Sequence, residues 1–293
     1  MLPRRKRPLW APTVTATGWG ESTFAEQAWD KSRGASVRWA VAGGLLGTLL
    51  AVVVFAPAVW LANAVASATD QRVLLADARG TIWSGSAVPI LTGGSDSRDA
   101  SALPGRLEWS LVPRGLALEL RVRHDCCLNG TVAVQLRPGL GRIAATVLPP
   151  AGGWLGQWPT ALLGGLGTPW NTMQLGGAVR LATPGFTVES VQGRWRLDGR
   201  LDVELLNVSS RVTTLDRLGS YRLTLAGDPS GPTRLNLATQ DGPLQLTGSG
   251  TWGPGGVRFR GEARAAAVDD AALSNLLNII GRRDGARSVI SIG

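Results

Sequence analysis

The stretch Leu107-Glu108-Trp109-Ser110-Leu111-Val112-Pro113-Arg114-Gly115-Leu116-Ala117-Leu118-Glu119-Leu120-Arg121-Val122-Arg123 alternates apolar and polar residues on either side of a Pro-Arg-Gly break. Leu107, Trp109 and Leu111 fall on one face, with Arg106, Glu108 and Ser110 on the other. Beyond the break, Leu116, Leu118, Leu120 and Val122 oppose Glu119, Arg121 and Arg123. Successive side chains of a strand point to opposite faces, so this spacing predicts an antiparallel hairpin with one wet face.

The pattern extends in both directions. Downstream, Val132, Val134 and Leu136 precede Pro138-Gly139, and Ile143, Ala145 and Val147 precede Pro149-Pro150. Val179 and Leu181 lead to Thr183-Pro184-Gly185, which reads as a turn, and Phe186 and Val188 begin the returning strand. Trp195, Leu197, Leu201, Val203 and Leu205 alternate with charged residues around Gly199, which reads as a bend or bulge. Tyr221 to Leu225, Leu235 with Leu237, Leu244 with Leu246, and Val257 with Phe259 continue the series. Upstream, Arg79 to Val88 reads as one glycine-punctuated strand containing Gly80, Trp83 and Gly85. Together these predict a mainly β fold, a long antiparallel meander forming a curved sheet or sandwich. Gly80 with Trp83, Gly193 with Trp195, and Gly250 with Trp252 form a weak echo at unequal spacing, so no solenoid period is expected.

Two segments break the alternation. Residues 151–174, rich in Gly, Trp and Pro, mark a sub-boundary, and Trp154, Leu155, Trp158, Leu162 and Leu163 fit a short amphipathic helix capping the sheet or touching the membrane surface. Near the end, Leu273, Leu276, Leu277 and Ile280 have helical spacing. Asp269 and Asp270 open that helix and Arg282 and Arg283 close it, with Gly281 as its C-terminal cap. Val289 to Ile292 reads as a last short strand.

Ahead of the meander lies a different kind of segment. No charge interrupts the chain between Arg38 and Asp70, and residues 39–63 are long and apolar enough for one transmembrane helix, with Trp39 and Trp60 at its two interfaces and Pro57 near its far end. Residues 1–38 form a basic tail with Arg4, Arg5, Lys6, Arg7, Lys31, Arg33 and Arg38, read as a disordered stretch in preference to a short helix over Glu26 to Arg33 leading into the membrane. Positive residues favour the cytoplasmic side, which places 1–38 there and the β-rich domain, 64–293, across the membrane. The apolar run is too long, and the tail before it too polar, for a cleaved signal peptide. Gly43 and Gly47, four apart, offer a close-packing face to another helix.

Composition narrows the function. The 293 residues include 39 Gly, 17 Pro and 12 Trp but one Tyr and one His, with net charge +9. The positive charge is carried by arginines spread among acids, which speaks against a nucleic-acid partner. His124 is the single histidine, and His124-Asp125-Cys126-Cys127 sets four potential ligands side by side. Adjacent residues do not turn toward one ion without distorting the backbone, and structural zinc sites space their cysteines by about two to four residues. No metal, cofactor or small-molecule substrate is therefore expected. A vicinal disulfide, a bond to another chain and two thiols in a turn all stay open for Cys126 and Cys127. Gly164-Gly165-Leu166-Gly167 lacks phosphate-cradling spacing, and Asp202 with Glu204 points off a polar strand face, so no catalytic residues are assigned.

One apolar span, then Gly80-Thr81-Ile82-Trp83-Ser84-Gly85, then Gly167-Thr168-Pro169-Trp170-Asn171, and the closing Gly281-Arg282-Arg283-Asp284-Gly285 resemble the N protein family of the bacterial type II secretion system (GspN). The long basic tail departs from that pattern. The resemblance implies an accessory, non-enzymatic, single-pass protein of the inner membrane with a periplasmic domain, partnered by other inner-membrane and periplasmic subunits and by membrane lipid. Against it stands an AsmA-like lipid-handling protein. In that case the apolar strand face would form a groove, and Arg121, Arg123, Arg194 and Arg196 would hold anionic headgroups.

Overall fold

Residues 19–191, 194–228, 231–253, 255–266 and 270–293 are described in the computed structural model. Arg4 to Arg7 of the basic tail, Gly193 of the Gly-Trp echo and Asp269 lie outside them. Two units separate, Met1–Val54 and Phe55–Gly293.

The first unit is the helix α1, Trp19–Val54, whose last 18 residues, Val37–Val54, are long and apolar enough to cross a membrane and are unburied throughout. At 1.5 Å per residue they measure about 27 Å. Within this run the Thr48 hydroxyl donates to the Gly44 carbonyl at 2.9 Å, so that hydroxyl is satisfied inside the helix. Helix begins well inside the basic tail, at Trp19, where sequence suggested disorder.

The single helix expected over 39–63 is divided. Pro57 has no N–H to donate and disfavours helix at the residue before it, so α1 stops at Val54 and a second helix, α2 (Ala58–Ala68), starts after an extended Pro57. The freed Ala56 carbonyl accepts from Ile82 N at 3.0 Å. Ala56, Ala58 and Ala62 are buried, so α2 belongs to the folded body. The small side chains let it lie close against the sheet.

That body is one antiparallel sheet of sixteen strands among the described residues. They are β1 (Val73–Gly80), β2 (Ser84–Thr92), β3 (Ala100–Ala102), β4 (Leu107–Arg114), β5 (Ala117–His124), β6 (Thr131–Gly139), β7 (Arg142–Val147), β8 (Trp154–Pro159) and β9 (Leu175–Val191). There follow β10 (Arg194–Ser210), β11 (Gly219–Ala226), β12 (Thr233–Asp241), β13 (Leu244–Gly253), β14 (Gly256–Ala265), β15 (Arg282–Asp284) and β16 (Arg287–Ile292). The order is β1-β2-β4-β5-β6-β7-β9-β10-β11-β12-β13-β14-β16-β15, with β3 beside β2 and β8 beside β9. The two ends do not join, so the sheet is open.

Register keeps the apolar residues on one face. Leu111 pairs with Leu120 and Trp109 with Val122, as the alternation requires. Across the middle, Leu136 faces Ala145, Ala145 faces Val188, and Val188 faces Leu197. Thr183-Pro184-Gly185 is no turn. Thr183 and Pro184 oppose Leu201 alone, forming a bulge inside the continuous β9. The extra residue shifts the parity of β9, so Val179 and Leu181 before it and Phe186 and Val188 after it stay on the same face. Thr183 Oγ1 fills the gap by donating to Arg200 O and accepting from Gly185 N. Asn207, at φ 49°, lies in a second bulge that turns Val208 into the core.

Three other expectations change. Arg79 to Val88 is the hairpin β1–β2, because Gly80 at φ 89° lets the chain reverse at Thr81-Ile82-Trp83. Trp154 to Pro159 is a strand, because β8 pairs with the first half of β9 while β7 takes the second half; the helical pieces around it are a 3₁₀ turn at Ala151–Gly153, the short helix α3 (Trp170–Met173) and the 3₁₀ turn Thr160–Leu166. It covers the sheet, with Leu155 and Leu162 buried. Arg282 and Arg283 lie in β15 rather than in the last turn of the C-terminal helix α4 (Asp270–Ile280).

Side chains bury in two clusters. Ala58, Ala87 and Trp109 form one, under α2. Met173, Val208, Leu218, Tyr221, Leu244, Ala263, Leu273, Leu276 and Leu277 form the other, under α4.

Candidate functional site

The residues singled out by sequence occupy three places. At the β1–β2 hairpin, Thr81 N donates to Ser84 O at 2.9 Å and Leu111 N donates to Trp83 O at 2.7 Å, which fixes the turn against β4. A Cβ at Gly85 would come 2.5 Å from Arg79 O and 2.6 Å from the Trp109 ring, so only glycine lets that buried indole lie flat against the strand. An open depression adjoins the turn, lined by Arg79, Gly80, Ser84, Gly85, Arg121 and Arg123 among others.

The second place is the loop holding Gly167, Thr168, Pro169, Trp170 and Asn171. Its 3₁₀ turn, Thr160–Leu166, touches β2, β3 and β9. β2 and β9 stand five places apart in the sheet order, about 24 Å in a flat sheet, while seven residues of 3₁₀ helix span about 14 Å. The sheet therefore curls to bring them together, and the loop closes the gap. Asn171 Nδ2 donates to Asp99 Oδ2 at 2.9 Å on one side, and Ser210 Oγ donates to Met173 O at 2.5 Å on the other. Gly165 has no room for a side chain because backbone passes close by: a Cβ there would meet Leu91 O at 2.5 Å. Trp170 and Asn171 border a second open depression with Gln174, Ser209 and Arg211.

Gly281, Arg282 and Arg283 make the third. Gly281 is no left-handed cap; its missing side chain makes room for the Val289 carbonyl of β16. The structure brings the second and third places to one core cluster, since Trp170, Ile280 and Ile290 all pack against it, and leaves the hairpin beside the other. Gly43 and Gly47 lie in α1 with open space where a Cβ would be.

Many of the described carboxylates are engaged by arginines. Asp202 pairs with Arg200 at 2.9 Å, and Glu204 accepts from Arg222 at 2.8 Å. Asp77 takes Arg106 at 2.7 Å and Arg79 at 2.9 Å; the hydrogen bond from Arg106, then that from Arg79, holds its carboxyl below the usual range. Tyr221 is 2% exposed, and burial, with Asp241 nearby, pushes its hydroxyl up. These are the features of a charged outer face over a packed interior.

His124 differs from them. It ends β5 opposite Leu107, is 2% exposed, and neither ring nitrogen has a hydrogen-bond partner among the described residues. Burial pushes its pKa down, opposed by the Asp125 charge. Cys126 and Cys127, which follow it, are joined to each other. The sequence marked these residues by type alone; the missing hydrogen bonds needed the fold.

Among the described residues, then, an open antiparallel meander with one apolar face follows one helix long and apolar enough to cross a membrane, and many of its charges lie in surface ion pairs. Residues 71–290 match the family described as type II secretion system (T2SS), protein N, and the chain belongs to that family. It is thus a component of the type II secretion system. No curated protein and no solved structure matches the chain.

Proposed function

We propose that the chain is an accessory inner-membrane subunit that supports export of folded proteins across the outer membrane through protein–protein contacts, without bond chemistry of its own. The family match over residues 71–290 carries this. Val37–Val54 serves as the single span. Lys31 and Arg33 precede it and Arg38 sits in its first turn, whereas Asp70 is the first charge after it, and that imbalance favours a cytoplasmic N-terminus and a periplasmic body. Gly43 and Gly47 form the face on which α1 meets a neighbouring span. The depressions beside Gly80–Gly85 and Trp170–Asn171 are where other subunits dock. Deleting the protein should strand folded exoproteins in the periplasm, and re-expression should release them; unchanged export would overturn the proposal.

A second reading rests on the open apolar face. Between the two buried clusters, Leu118, Val134, Leu136, Val147, Phe186 and Val188 are only half-buried, which suits an acyl chain lying across the strands. Normal export with altered outer-membrane lipids in the deletion strain would favour this lipid-handling role.

A further inference from the structure

We propose that, once the Cys126–Cys127 bond is reduced, His124, Cys126 and Cys127 bind one thiophilic cation, with Cu(I) the best match. Sequence adjacency argued against a common ion, but the backbone removes that objection. Cys127 N and Leu128 N both donate to His124 O, at 3.3 and 3.2 Å, so the chain folds back on itself directly after β5. The fold-back brings one ligand atom from each of the three residues within 4.8 Å of the others. Bonds of about 2.0–2.3 Å place ligand atoms up to about 4.6 Å apart across an ion, close to the observed spread.

The independent sign is His124 itself. Its ring is 2% exposed and both nitrogens lack partners among the described residues, an arrangement that buried polar groups avoid unless something outside the protein's own donors and acceptors completes them. Two sulfurs and an imidazole, with no carboxylate in the set, form a soft donor group that selects Cu(I) over harder cations. Cys127 is 5% exposed whereas Cys126 is open to solvent, which gives ion and reductant a way in. Strand β8 holds the turn in place: Gln157 N donates to Cys127 O at 2.8 Å and Asn129 N donates to Leu155 O at 2.8 Å. Gly156 permits that approach, since a Cβ there would lie 2.5 Å from Cys127 O.

The chemistry balances. A dithiol reductant gives two electrons and two protons to the Cys126–Cys127 bond and leaves as its own disulfide, yielding two thiols. Cation binding then releases their protons to solvent as the thiolates and the neutral imidazole take the metal. Oxidised protein offers the imidazole alone.

The test uses the untagged full chain in detergent, reduced anaerobically with a trialkylphosphine, which supplies two electrons and takes the oxygen of water. After the phosphine is removed, Cu(I) is titrated in against the chelator bicinchoninate. One Cu(I) per chain is expected in the reduced protein, at least tenfold tighter than in the unreduced protein or in the Cys126→Ser/Cys127→Ser double variant. X-ray absorption of the copper-loaded wild type should show one imidazole among its ligands, assignable because His124 is the chain's only histidine. Equal uptake by the double-serine variant, or a ligand shell without imidazole, overturns the proposal whether or not a His124→Gln variant folds.

Discussion

Individual residues carry two kinds of constraint in this protein, close approach and charge pairing. Gly85 has an ordinary φ, yet it is irreplaceable because the Arg79 carbonyl and the Trp109 ring occupy the space a Cβ needs. Gly85→Ala should therefore destabilise the fold by about 3 kcal/mol, the upper end for overpacking. At Gly253 the nearest atom to a new Cβ is Pro232 Cβ at 3.5 Å, an ordinary contact. Gly253→Ala should be neutral or slightly stabilising, by up to about 0.5 kcal/mol. Urea denaturation of the detergent-solubilised chain, followed by tryptophan fluorescence, separates the two. Asp77 illustrates the other constraint. Its carboxyl pKa is lowered in the folded state by Arg106 and Arg79, so its contribution is present above the unfolded value of about 3.9 and disappears as pH falls through the folded one. Asp77→Asn should flatten the acid limb of a stability–pH curve below about pH 4 and leave the curve's shape near neutrality unchanged.

Among the elements, α4 shows how a short helix can organise a large sheet. Leu273, Leu276 and Leu277 are almost fully buried against Leu244, Ala263 and Tyr221, whereas Ile279 on the other side is 37% exposed. Leu277→Ala should cost about 2–5 kcal/mol through the cavity it leaves, and Ile279→Ala less than about 1 kcal/mol; the shift in urea midpoint reads the difference. Helical spacing made that face legible in sequence. The strands were equally legible wherever apolar and polar residues alternated without interruption, as in Leu107 to Leu111 and Leu118 to Arg123. Illegible were the places where a residue serves a partner far away in sequence. Thr183-Pro184-Gly185 has the composition of a turn and is a bulge, because a hydroxyl replaces the ladder bonds. Trp154 to Pro159 has the composition of an amphipathic helix and is a strand, because β9 is long enough to pair with two neighbours.

At the scale of the molecule, the folded body begins earlier in the apolar run than hydropathy suggests. Phe55–Gly293 holds α2 together with the sheet, and α2 places Ala58 in the same cluster as Ala87 and Trp109. A fragment of residues 55–293, exported to the periplasm, should fold and resist protease. A fragment of residues 69–293 should be cleaved, because losing α2 uncovers Trp109; equal resistance of the two would show that α2 is dispensable. The candidate sites divide along the same line. Gly80–Gly85, Gly167–Asn171 and Gly281–Arg283 could be picked out by motif, but their attachment to two separate cores could not.

From the order of residues alone came the apolar span, the mainly β character, the period-two strands and the family, since each depends on neighbours a few positions apart. The tertiary structure decided where the oily run leaves the long exposed helix and joins the core, which glycines are held by space rather than by φ, and how the loop around Leu162 bridges strands five places apart. It also placed the single histidine, its ring nitrogens without a hydrogen-bond partner among the described residues, within 4.8 Å of two joined cysteines. Those outcomes depend on which distant backbone passes within a few ångströms, a quantity that periodicity along the chain does not carry.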